Sequence, residues 1–377
     1  MNYKICTKTV VDASDPDIKF DSNGISNNYW SAKKISNKYW YPNEFGKYQL
    51  GSIISEIKKS SFNKTYDCII GLSGGLDSSY LLHKMVVDYG IKPLVFHVDG
   101  GWNSEIAVNN INNLVDSLDL ELFTVVINWE EMREFQLAMF KSGVPHLDIP
   151  QDMAFIGVLY KYAAKYGIKY IFNGGNIATE SMLPPLKYFY WGTDMFHVRD
   201  LIRKFSRNKF KTFPFTSAFQ TKFVARFVNG VKIIKPLNFL NYIKKDAENT
   251  LVNLYKYKTY PQKHFESNFT KFYEGYWLPT RFNFDIRKYQ LSSLIISNQL
   301  QREDALKILE KKSYAESNLN NEIKYVADKL RISVDELESY RLSRKKYYYD
   351  FKNLEKIFAI GERISKRILN TSRGGFY

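Results

Sequence analysis

The sequence predicts an α/β fold: a doubly wound, mostly parallel sheet, with a small N-terminal module before it and a helical region after it. Three observations carry that expectation. From Tyr66 to Asn173 short apolar runs alternate with stretches of helical apolar spacing, which argues a parallel sheet covered on both faces. The runs end in glycine-rich or polar turns, the place where such sheets bind ligands. From about Asp246 the strand signal stops, and apolar residues recur only at helical spacing.

In chain order, residues 1–62 are polar and punctuated, with Asp15-Pro16 and Asn23-Gly24 as turn signals and a weakly helical stretch over 50–59. They read as an irregular module. Residues 63–245 form the predicted core domain, with strands at 66–72, 92–98, 120–127 and 170–173 and helices at 76–89, 105–118 and 155–166. Residues 246–377 form the predicted helical region, with helices at 302–311, 320–331 and 334–344.

A chain of 377 residues that is 45% hydrophobic can build a sizeable core and does not read as disordered. Its 54 Lys and Arg against 39 Asp and Glu give a formal net charge of +15, which favours polyanions, anionic surfaces or phosphorylated small molecules without choosing among them. Basic patches at 199–211 and 341–346 read first as solvated helix faces. Only Cys6 and Cys68 occur, so neither a disulfide framework nor a four-thiolate metal site can form, and a reducing cytoplasm is expected. No window approaches the roughly 18 apolar residues of a membrane span.

The sharpest signal is Gly71-Leu72-Ser73-Gly74-Gly75-Leu76-Asp77-Ser78-Ser79, between a predicted strand and a predicted helix. Glycines let backbone N–H groups approach a polyphosphate, the helix N-terminus favours anions, and Ser73, Ser78 and Ser79 add hydroxyls. Asp77 is the candidate carboxylate for the Mg2+ that accompanies ATP phosphates. The lysine of a Walker loop and the dinucleotide fingerprint are both absent. The Ser-Gly-Gly-x-Asp-Ser pattern resembles the PP-loop of the ATP-pyrophosphatase superfamily, of adenine nucleotide alpha hydrolase-like fold, whose members cleave ATP between its α and β phosphates. Downstream, Asp99 at the end of the second strand is a candidate for a ribose hydroxyl or a metal-bound water. Asn173-Gly174-Gly175-Asn176 offers Gly174 and Asn176 as further pocket wall, or an ordinary turn. In 146–152, Asp148 and Asp152 can bind magnesium, orient substrate or cap a helix.

With these loops in hand, the chain resembles the N-acetyl sugar amidotransferase family of surface-polysaccharide biosynthesis (WbpG-like proteins). The likeness runs through Asp15-Pro16-Asp17-Ile18, Phe20-Asp21 and Gly24, the PP-loop, and 97–105. It is densest at Lys235-Pro236-Leu237, Lys263-His264-Phe265-Glu266-Ser267 and Phe269-Thr270-Lys271-Phe272-Tyr273, and continues to Arg302-Glu303 and Ala305-Leu306. The resemblance implies ATP-dependent conversion of a sugar acetamido group to an acetamidino group, through an adenylated amide, in lipopolysaccharide O-antigen or capsule synthesis. It implies an acetamido sugar, nucleotide-linked or a nonulosonic acid, as substrate. Ammonia would come from separate glutaminase and channel subunits resembling those of histidine biosynthesis.

Within it, Asp77, Ser73 and His264 are the expected catalytic residues, and His264, Glu266, Arg281, Arg287 and Lys288 the expected substrate contacts, each with a surface ion pair or structural role as its alternative. Family members carry two N-terminal cysteine pairs; here Thr9, Ser26 and Tyr29 replace three of the four thiols, so zinc is not expected. Nucleic acid is not the expected partner, although a tRNA-modifying PP-loop enzyme stays open as the rival reading. So does an inactive scaffold homologue. The C-terminal helices would serve a homodimer or a partner surface equally well.

Overall fold

The protein is described here from a computed structural model that covers residues 4–314 and 316–368. Five parallel strands form the sheet: β1 (Cys68–Gly71), β2 (Pro93–Asp99), β3 (Leu122–Val126), β4 (Tyr170–Phe172) and β5 (Lys232–Ile234), in the order β3-β2-β1-β4-β5. Register is fixed by pairings such as Ile69 with Leu94 and with Ile171, and Ile171 with Ile233. The order reverses at β1, so a crevice opens where the chain leaves β1 and β4.

Helices in chain order are α1 (Asn27–Tyr39), α2 (Glu44–Ser60), α3 (Leu76–His83), α4 (Glu105–Ser117), α5 (Trp129–Ser142), α6 (Ile149–Lys165), α7 (Ile177–Glu180) and α8 (Met195–Phe205). Then come α9 (Lys244–Tyr255), α10 (Asn268–Phe272), α11 (Arg287–Ile296), α12 (Arg302–Glu310), α13 (Glu316–Leu330), α14 (Val334–Leu342) and α15 (Glu355–Ile368). π-Helical segments extend α3 over Lys84–Asp88 and α10 over Tyr273–Phe282, and a third spans Gln220–Val228.

The strand period of two sorts apolar side chains onto the two faces. Ile69, Leu94, Phe96 and Ile171 pack with α5 and α6. Cys68, Ile70, Val95 and Phe172 pack with α2, α3, α4 and α9. The three central strands β1, β2 and β4 are therefore apolar on both sides, as a doubly wound sheet requires.

Three features differ from the sequence expectation. The N-terminal segment is not irregular: Ser26 caps α1 by accepting from the Tyr29 amide, and Asn43 caps α2 through the Gly46 amide. These helices are weakly amphipathic, so caps rather than apolar period mark them. β5 was missed because its three residues lie between basic and proline-bearing turns. The chain from 244 onward also does not stand apart from the sheet, since α9 covers α3 and α4 and the following segment crosses the glycine loop.

Residues 4–26 fold as small turns with antiparallel bridges Ile5 to Asp12 and Phe20 to Ser26. The Ser26 amide donates to Cys6 Sγ at 3.3 Å, and Thr9 is buried. The module docks by polar contacts: Arg302 donates to the carbonyls of Cys6 (3.2 Å from Nε) and Thr9 (3.0 Å), Tyr289 donates to Asp15 (2.7 Å), and Lys288 pairs with Asp12. No described helix is long and apolar enough to cross a membrane.

Candidate active site

The glycine loop leaves β1 and feeds α3 at the point where the strand order reverses. Gly74 adopts φ +79°, and a Cβ there would meet the Ala107 carbonyl oxygen at 2.6 Å, so α4 packs directly against the turn. Only glycine satisfies both demands. The Gly74 carbonyl is held by Tyr260 Oη (3.0 Å), Tyr257 Oη (3.3 Å) and Asn110 Nδ2 (3.4 Å). Ser73 Oγ accepts from the Gly75 amide at 3.2 Å and lies 3.2 Å from Ser78 Oγ. No side chain caps the N-terminus of α3, which leaves its first amides available to an anion.

The loop opens on a cavity of about 560 Å³. Ser73, Gly75, Leu76, Asp77 and Ser78 form one side, and Asn173, Gly174, Gly175, Thr179 and Glu180 after β4 form the second. Residues 257–266 and α11 close it, with Lys263, His264, Glu266, Arg287 and Gln290 among the polar contributors. Phe155, Leu159, Ile171, Leu291 and Leu294 supply an apolar wall. Gly174 packs closely on the loop: a Cβ there would lie 3.0 Å from the Ser78 amide nitrogen.

Lys263 ties the walls together. Its Nζ lies 2.7 Å from Asp77 Oδ2 and 2.7 Å from Glu180 Oε1, and it donates to Thr179 Oγ1 at 3.0 Å. Burial works against its charge, but the two carboxylates outweigh that and raise its pKa. Burial likewise disfavours charged Glu180, yet Lys263 and Lys235 hold its carboxyl well below the usual range. The second oxygen of Asp77 accepts from Tyr242. Glu266 Oε1 receives the Ser73 hydroxyl at 3.3 Å. His264 Nδ1 sits 3.0 Å from Glu274 Oε1; burial lowers the imidazole pKa, but Glu274 prevails and lifts it to about 9. The ring is therefore an imidazolium at neutral pH.

Not every expected contact reaches this cavity. Ser73, Gly75, Leu76, Asp77, Ser78, Gly174, His264, Glu266 and Arg287 do. Gly74 shapes the loop from behind. Ser79 is fully buried with its hydroxyl unpaired, and Asn176 is buried as the cap of α7. Asp99 accepts from the Gly101 amide at 2.7 Å within its own turn and is outside the cavity wall.

Two assignments need correction on geometry. Arg281 is 3% exposed, and its guanidinium donates to the carbonyls of Tyr340 (2.6 Å), Ser343 (3.1 Å) and Gly143 (3.4 Å); it ties the C-terminal helices to α5. Lys288 is taken by Asp12 of the N-terminal module. Arg287 lines the cavity, but its fork is engaged by Asp285 at 2.7 Å and the Lys311 carbonyl at 2.8 Å. Sequence reasoning missed Lys263, Glu180 and Tyr242 as members of the site. Lys263 stood within the densest stretch of resemblance, whereas Glu180 and Tyr242 carry no local signal.

Among the described residues no three His, Cys, Asp or Glu side chains gather as a metal cage. Mg2+ arriving on a polyphosphate needs only one or two protein carboxylates, and Asp77, beside the loop amides, fits that demand once Lys263 turns to a phosphate. Zinc does not fit the N-terminal module, where Cys6 is the one thiol.

The strand order β3-β2-β1-β4-β5, with a Ser-Gly-Gly-x-Asp-Ser loop leaving β1, is the arrangement expected of a PP-loop protein. Residues 266–365 match the family model described as LPS biosynthesis protein WbpG-like, C-terminal domain, so the C-terminal region is similar to that domain. No curated protein matches the chain. Similar solved structures include an NH3-dependent NAD synthetase from Campylobacter jejuni subsp. jejuni NCTC 11168 in complex with the nitrate ion (14% identity, 46% of this chain and 72% of that one, TM-score 0.28). They also include an NMN synthetase from Francisella tularensis (16%, 62% and 99%, TM-score 0.27) and an NAD+ synthetase from Burkholderia pseudomallei (14%, 62% and 100%, TM-score 0.26). With TM-scores this low, none of them bears on what this chain does.

Proposed function

We propose that the protein is an ATP-dependent amidotransferase that forms AMP and pyrophosphate while converting the acetamido group of a sugar into an acetamidino group. The reading extends to surface-polysaccharide synthesis, with ammonia from separate glutaminase and channel subunits. The observation that carries it is the joining of two signatures: Lys263, His264 and Glu266, from the stretch that resembles the sugar family, converge on Ser73 and Asp77 of the PP-loop.

In this reading the α3 amides and the Ser73 and Ser78 hydroxyls hold the triphosphate. Lys263 brings cationic charge against it, which would leave Asp77 free to meet Mg2+. Mg2+, when bound with ATP, would neutralise charge on the departing pyrophosphate. The acetamido oxygen attacks the α phosphorus and the bond to the β-phosphate oxygen breaks. An amide oxygen becomes a competent leaving group only once it is phosphorylated. The apolar wall of Phe155, Leu159, Leu291 and Leu294 keeps water from hydrolysing the adenylate. His264, as imidazolium, sits where it can donate to the substrate's developing charge.

The test is pyrophosphate and AMP release from Mg-ATP and ammonium, across nucleotide-activated diacetamido sugars, free nonulosonic acids and bulk tRNA, with Asp77→Ala as control. Stimulation by an acetamido sugar, with a product in which NH replaces O by mass, supports the amidotransferase. Stimulation by tRNA alone refutes it in favour of a base-modifying enzyme, and silence throughout points to a scaffold or a missing partner.

A further inference from the structure

Next to the cavity lies a group of acids that adenylation leaves unused. Asp148, at the start of α6, accepts from Thr270 Oγ1 at 2.7 Å and from Gln151 Nε2. Asp152 follows one turn later, its side chain 61% exposed and its Oδ2 3.9 Å from His146 Nε2. Asp152, Phe155 and Leu159 are spaced i, i+3 and i+7, so they share a stripe of α6. Phe155 and Leu159 already line the cavity, which places Asp152 one turn beyond its edge. Glu274 and His264 complete the group from the other side, and the charge of His264 acts on both aspartates.

A second, independent observation lies in the same place. The Tyr273 hydroxyl is wholly buried and makes no hydrogen bond, although Asp148 and Glu274 are the charges that act on it most. His146 is 7% exposed with Nδ1 likewise unpaired. Three carboxylates therefore face one imidazolium. Asp148 and Asp152 lie four residues apart at the start of α6, so two like charges share one turn and the group is short of positive charge. Among the described residues these donors do not form a metal cage. A small cation with several N–H donors matches carboxylate and phenol acceptors in this arrangement.

We propose that this group receives ammonium, and that Asp152 takes its proton as ammonia attacks the activated carbon. The proposal rests on the amidotransferase reading above. The electron pair of one ammonium N–H bond becomes the lone pair that forms the C–N bond, and the proton passes to the Asp152 carboxylate. The C–O bond then breaks and its pair leaves with AMP. Of the three hydrogens ammonia brings, two stay on the amidinium nitrogen and one departs as a proton with AMP. Asp148 and Tyr273 are positioning residues that orient the nitrogen.

The experiment compares native protein with Asp152→Asn and Tyr273→Phe in two assays: sugar-dependent exchange of labelled pyrophosphate into ATP without ammonium, and amidine formation against ammonium concentration. Asp152→Asn should keep exchange within about twofold and lose roughly 10²- to 10⁴-fold in amidine formation, the usual worth of a proton acceptor. Tyr273→Phe, which removes a hydroxyl without partners, should raise the KM for ammonium and leave kcat nearly unchanged. An unaltered ammonium response in Asp152→Asn overturns the proposal, as does parallel loss of exchange and amidation in a folded variant. Absence of sugar-dependent exchange in the native protein overturns the amidotransferase reading itself, and this proposal with it.

Discussion

Replacing Lys263 by methionine keeps the length of the side chain and removes the one cation that touches both Asp77 and Glu180. Breaking a fully buried pair costs about 3–5 kcal/mol, and an exposed pair about 0–1. Lys263 and Asp77 are 18% and 19% exposed and Glu180 is 37% exposed, so a loss of about 2–3 kcal/mol is expected at pH 8. The pH dependence is more telling. In the native protein burial works against charged Glu180, but the lysines hold its folded pKa below the unfolded value. That stabilisation is present above the unfolded pKa of about 4.3 and fades as pH falls. Without Lys263 the burial effect gains weight and Glu180 shifts upward, so the variant is penalised mainly once that carboxyl ionises. Urea unfolding of both proteins from about pH 8 down toward about pH 2, where the folded Glu180 carboxyl finally protonates, should show the full difference at the higher pH and a difference that shrinks as the pH falls. Equal midpoints at pH 8, or a pH-independent difference, would refute the bridging role. Affinity for Mg-ATP should fall in the same variant.

Other perturbations separate shaping from chemistry. Gly74→Ala forces a Cβ to 2.6 Å from the Ala107 carbonyl at φ +79°; a loss of about 1–3 kcal/mol and of nucleotide binding is expected, read by thermal melting and ATP calorimetry. Arg281→Met strands several carbonyls of the C-terminal segment, so stability should drop by about 1.5–3 kcal/mol while the substrate KM holds; a KM effect without destabilisation would restore Arg281 to the substrate site. Arg302→Met removes the bonds to Cys6 and Thr9, and limited proteolysis should then cut within 4–26 before the sheet unfolds. Glu274→Gln should bring the His264 pKa down from about 9 toward or below its ordinary 6.5, measured by imidazole NMR titration, because burial then acts unopposed by the carboxylate.

The sheet, the glycine loop and their order were legible in the sequence because each depends on local signals. Apolar runs of strand length, helical spacing after them and glycine at the turn between are all properties of a few consecutive residues. The candidate polar contacts were less legible. Arg281, Arg287 and Lys288 cluster in sequence with a family-like stretch, yet Arg281 and Lys288 turn to the C-terminal carbonyls and to Asp12. A long cationic side chain reaches whichever partner the fold supplies, and sequence proximity does not name that partner.

Sequence alone thus determined a parallel α/β core, the loop at the end of its first strand, and the absence of thiols for an N-terminal zinc site. Tertiary structure decided what faces that loop. Lys263 reaches Asp77 across 186 positions, Tyr257 and Tyr260 hold the Gly74 carbonyl from 183 and 186 positions away, and Asp15 meets Tyr289 from 274 positions away. Contacts of that span arise from chain topology, because only the crossover that returns residues 244–300 over the strand ends brings them together.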